Sequence, residues 1–80
     1  MADMVHEFST PTRGADHLDY TVRAYAEQHG NLWVGWLEFS GPRSTRKTGE
    51  ETSQPSREAV AYWATGLEPT YLEGAWHRAR

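Results

Sequence analysis

The sequence predicts an α+β domain: a three-stranded antiparallel sheet (β-β-β), then two short C-terminal helices, with a disordered N-terminal tail. Three observations carry this expectation. Tyr20 to Glu27 alternates, with Tyr20, Val22, Ala24 and Ala26 on one face and Thr21, Arg23, Tyr25 and Glu27 on the other. Leu32 to Phe39 is apolar on both faces, as a central strand tends to be. Beyond residue 56, apolar side chains recur at helical spacing instead.

Each element follows in order. Residues 1–17 lack periodicity and include Ser9, Thr10, Pro11, Thr12 and Gly14, which predicts a flexible tail before a single domain over residues 18–80. Gln28-His29-Gly30-Asn31 reads as the hairpin turn between the first two strands, with Gly30 at a left-handed position. Gly41-Pro42 marks the loop Ser40 to Thr45, and Arg46 to Ser53 is expected to form the third strand, at the sheet edge. Gln54-Pro55-Ser56 opens a helix, since proline is tolerated in a first turn. Val60, Trp63, Ala64 and Leu67 make its buried stripe; Gly66 and Pro69 interrupt it. Leu72, Ala75, Trp76 and Ala79 make a second stripe, with Glu68 and Glu73 near its start and His77, Arg78 and Arg80 near its end expected to suit the helix dipole.

The hairpin register decides which face each residue of strand two occupies. A three-residue loop places Leu32, Val34 and Trp36 beside Val22 and Ala24; a four-residue loop exchanges the two sets. In either register Tyr25 lies opposite Val22, among large apolar neighbours. One helix layer covers one face, so the other needs the second helix, a second subunit or a ligand.

Composition narrows the function classes. Hydrophobic residues make up 38% of the chain and charged residues 24%, and no apolar run reaches the length of a membrane span. The first ten residues lack the basic and apolar regions of a secretion signal, and there is no cysteine, which favours a cytoplasmic setting. The net charge of −3 arises within residues 1–20; the rest is balanced, with seven acids and seven bases. A neutral folded region lacks the positive footprint of a phosphate-binding protein and does not repel its own copies.

No cofactor or metal is expected. His6, His17, His29 and His77 are scattered, without the spacing of a ligand set. Glu50 and Glu51 are adjacent in an expected strand, so their side chains diverge, and no Gly-x-Ser-x-Gly elbow or phosphate-binding glycine loop occurs. Arg43, Arg46 and Lys47 are the only basic cluster; with the sheet aromatics they define an alternative, a small nucleic-acid-binding surface. The aromatic content, four Trp, four Tyr and two Phe, favours an interface, with Tyr25, Trp33, Trp36, Leu37 and Phe39 as its candidate residues.

From Tyr20 to about Leu72 the order of elements, with Ser56-Arg57-Glu58-Ala59-Val60 as an acidic-alanine helix start, resembles the HicB-like family of small bacterial antitoxin-type domains. Pro55 stands where that family usually carries Thr or Ser. The resemblance implies a non-catalytic regulatory module that dimerises and binds a protein partner or DNA. The sequence reading is therefore a non-enzymatic, self-associating interaction or regulatory domain of bacterial type, a homodimer without membrane association. A small-ligand binder, or an enzyme subunit completed by another chain, is the third reading.

Overall fold

A computed structural model describes residues 1–80. The alternating segment is the middle of β3 (Asp19–His29), antiparallel to β4 (Leu32–Ser40) from His29 opposite Leu32 to Thr21 opposite Ser40. Only Gly30 and Asn31 join them. Gly30 has φ +63°, the positive value that a two-residue hairpin turn requires and that glycine adopts without steric cost. The loop is shorter than either length considered from sequence. It has the parity of the four-residue case, so Val22 pairs with Phe39 and Ala24 with Leu37 on one face.

The N-terminal segment is not disordered. β1 (Asp3–Glu7) pairs with the Arg23–Ala26 part of β3, and β2 (Thr12–Arg13) pairs with Tyr20 and Asp19. β3 is eleven residues long, and its outer edge would otherwise leave a row of backbone groups unpaired. The strand escaped sequence reading because a bulge between Met4 and His6 breaks the period of two. Val5 and Phe8 pack on the core, Met4 remains outside, and the Phe8 amide donates to Val22 O at 3.0 Å.

The expected third strand is two short strands on the outer side of β4. β5 (Thr45–Lys47) pairs with Glu38–Ser40 and β6 (Thr52–Gln54) with Trp33–Gly35, giving a six-stranded antiparallel sheet instead of three strands. Between them Thr48 stays attached: its amide donates to Leu37 O at 2.9 Å, and its Oγ1 accepts from Leu37 N at 3.0 Å. The Glu51 amide returns to Gly35 O at 2.8 Å, so Gly49 and Glu50 bulge out. The outer side of β5 is occupied as well, because Lys47 and Arg80 exchange backbone hydrogen bonds of 3.1 and 3.0 Å.

α1 (Arg57–Thr65) starts at Ser56, whose Oγ accepts from the Ala59 amide at 3.1 Å and satisfies one of the free donors of the first turn. α2 (Pro69–Arg78) starts on Pro69, at the position where a missing N–H costs nothing. Their stripes join the sheet face of Tyr20, Val22, Ala24, Leu37 and Phe39 in one core with Ala64, Leu72, Ala75 and Trp76. Gly35 sets the approach of α1: a Cβ there would lie 2.6 Å from Val60 Cγ1. Val60 and Ala64 are thereby fully buried, while Trp63 turns to the rim and meets the Tyr71 ring edge-on at 6.3 Å. Trp76 is buried against Tyr20, with the Arg46 guanidinium 4.1 Å from its ring centre. No helix is long and apolar enough to cross a membrane.

Candidate interaction face of the sheet

Strand register sorts the other face of the sheet into three cross-strand rows. The middle row is apolar: Met4 lies opposite Tyr25 and Tyr25 opposite Trp36, with the two rings stacked at 6.0 Å and 14°. On one side runs a row of alternating charge, Glu7, Arg23, Glu38, Lys47, each residue paired in register with the next. Opposite charges on directly facing strands attract, and Arg23 Nε reaches Glu7 Oε1 at 3.1 Å. On the other side lie Glu27, Val34 and Ser53.

The inner members of these rows are partly desolvated. Burial pushes the Tyr25 hydroxyl above the usual tyrosine range, and the nearby Glu38 charge, to which it donates at 3.4 Å, adds to this. Glu27 is held below the usual carboxylate range by its hydrogen bond with His29, then by that with the Met1 amine. Beyond Trp36, Lys47 to Glu50 bound a hollow of about 310 Å³ with Val34, Trp36, Glu27 and His29. A Cβ on Gly49 would have nothing within 4 Å.

The structure redistributes the residues anticipated from sequence. Tyr25 and Trp36 share the open face, whereas Leu37 and Phe39 are wholly buried under the helices and offer no contact surface. Trp33 is half-buried on the helix side, opposite Gln54. Adjacent strand residues alternate faces, so the five candidates could not share one surface. The basic cluster is split for the same reason. Arg43 is exposed in the β4–β5 turn, Arg46 lies on the Trp76 ring and donates to Ala79 O at 2.9 Å, and only Lys47 reaches the open face. That face carries Glu7, Glu27, Glu38 and Glu50 against Arg23 and Lys47, a balance that does not attract phosphates. Met4 and Glu7 were hidden from sequence reading because their strand lacks regular alternation.

The strongest ionic grouping is structural and lies away from the open face. Glu51 accepts from Tyr71 Oη at 2.6 Å and from Arg78 Nη2 at 2.6 Å, tying α2 to the β5–β6 connection. Burial raises the Glu51 pKa, but the hydrogen bonds from Arg78 and Tyr71 outweigh it and leave the carboxyl below its usual range. Tyr71 is pushed up to about 12 by burial, then by Glu51. A carboxylate with a lowered folded-state pKa stabilises the fold above its unfolded value, and that contribution disappears as pH falls through the folded value. For Tyr71 the contribution is complete below the ordinary tyrosine value and disappears as pH rises through about 12. Melting temperature followed from pH 7 downward should fall below about pH 4.5, and less steeply in Glu51→Gln. Identical acid limbs in the two proteins would remove Glu51 as the cause.

The four histidines are apart, His6 against Phe8, His29 beside Glu27, His77 against Trp76 and His17 at φ +67° in the turn after β2. No three His, Asp or Glu side chains converge as a ligand set. The hydroxyls of Thr48, Thr52, Ser56 and Thr65 bond backbone groups or Gln54, and none meets a histidine or carboxylate. Comparison with protein-family models, with curated proteins and with solved structures gives no match for this chain.

Proposed function

We propose that this chain is a non-enzymatic interaction domain that self-associates through the open face of its sheet. The observation that carries the reading is the Met4–Tyr25–Trp36 row, which no element of the fold covers because both helices lie on the opposite face. Aromatic and methionine side chains are enriched at interface centres, and such a row is better buried than wet. The likeness of the Ser56–Val60 segment to HicB-like domains supports the same reading, a regulatory module that works as a dimer. A cytoplasmic setting and a bacterial origin belong to this proposal, and the absence of cysteine fits the former.

Sedimentation over a range of concentrations tests it. The wild type should approach twice 9.1 kDa as concentration rises. Tyr25→Glu should remain at the monomer mass with an unchanged circular dichroism spectrum, since a buried unpaired charge opposes the contact and not the fold. A wild type that stays monomeric at high micromolar concentration would remove the proposal.

A further inference from the structure

Resting on that reading, we infer that two copies meet face to face about a two-fold axis that lies in the interface, parallel to β3 and β4 and between them. Rotation about such an axis leaves position along the strands unchanged and reverses order across them. Each cross-strand row therefore meets its own reverse. The row Glu7, Arg23, Glu38, Lys47 has signs − + − +, and its reverse has + − + −. Every charge then faces its opposite: Glu7 meets Lys47 of the second copy, and Arg23 meets Glu38 of the second copy. Lys47 makes no ion pair within its own chain, and Glu38 accepts only the 3.4 Å contact from Tyr25, so both have capacity for such partners.

The apolar row is self-complementary under the same operation. Tyr25 faces Trp36 of the second copy, so the two ring stacks lie against each other. Met4, at the outer end and 47% exposed, falls on the hollow beyond Trp36, where Gly49 has no side chain to exclude it. In the third row Glu27 comes over Val34 while still bonded to the Met1 amine and His29. The other in-plane two-fold, perpendicular to the strands, matches less: it sets Arg23 over Glu27, but it also sets Glu38 over Val34 and Lys47 over Ser53 and leaves those two charges unanswered. An isologous contact of this kind closes at two copies. Sheets packed with strands aligned cross at about 30° and lie about 10 Å apart, spacing that side chains of this size fill.

Charge exchange tests the axis. In Glu38→Arg, Arg23 faces arginine across the interface twice; in Arg23→Glu, Glu38 faces glutamate twice. Each alone should dimerise about tenfold to a hundredfold more weakly than wild type. Mixed together they should pair, because one chain then presents only cations at these positions and the other only anions. Circular dichroism of each variant confirms the fold. Glu7→Lys and Lys47→Glu, at the exposed ends of the row, repeat the design should Glu38→Arg fail to fold. A wild-type dimer whose folded single variants dimerise as well as wild type, or whose mixtures gain nothing, overturns the axis while leaving self-association intact. A monomeric wild type removes both.

Discussion

Replacing Trp76 with alanine is expected to destabilise the domain by about 3–5 kcal/mol, the range for deleting a buried aromatic side chain. The ring is 6% exposed and lies 5.6 Å from the Tyr20 ring. It also supports the Arg46 guanidinium and closes over Gly14, where a Cβ would lie 2.6 Å from the indole. A domain of this size is held by about 4–12 kcal/mol in total. The variant should therefore lose more than about 12 °C of Tm in calorimetry or circular dichroism. A fall of less than about 5 °C would show that the ring is not central to the core. Trp76→Phe separates ring volume from the indole N–H. Trp76 Nε1 is buried without a hydrogen-bond partner, so phenylalanine sheds an unsatisfied donor and should cost well under half as much.

Deletion of residues 1–13 should be at least as severe. It removes β1 and β2 together and strips the outer edge of β3, including the Phe8 amide bond to Val22 O. Val5 and Phe8 leave the core, buried Thr12 is lost, and Arg57 loses Asp3, its ion-pair partner at 3.1 Å. Several ladder hydrogen bonds at about 1 kcal/mol each, with two partly buried apolar side chains at up to about 1.5–3 kcal/mol each, exceed the margin of a small domain. The truncated chain should show no cooperative melt above room temperature. A Tm within a few degrees of wild type would restore the view of this segment as a dispensable tail.

That segment carries no periodic signal in the sequence. β3 and both helices were legible because their periods of two and 3.6 run over about eight residues, and β4 because Leu32 to Phe39 is apolar on both faces. β1 was not, because five residues interrupted by a bulge carry no period, and β5 and β6 are three residues each. The α2 stripe was legible in full: Leu72, Ala75, Trp76 and Ala79 are all buried. The α1 stripe was legible as a face, but not which of its members lies deepest. The contact between Gly35 and Val60 centres the helix on Val60 and Ala64, a long-range fact that rolls Trp63 to the rim. The candidate site was legible in Tyr25 and Trp36. It was illegible in Leu37 and Phe39, because only the two-residue hairpin loop fixes which strand-two positions face the helices. The alternating charge row exists only once four strands are in register.

The exchange of hydrogen bonds between Lys47 and Arg80 has a consequence for aggregation. A sheet with two open sides can template addition at both, and identical units then add head to tail into a filament without limit. Here Arg80 already takes the outward main-chain groups of Lys47, and the Arg46 guanidinium on Ala79 O anchors that segment. A neighbour seeking main-chain hydrogen bonds at Lys47 finds those groups already taken, which disfavours strand addition along β5. Loosening Arg80 would free the outward groups of Lys47 and make β5 a template for addition.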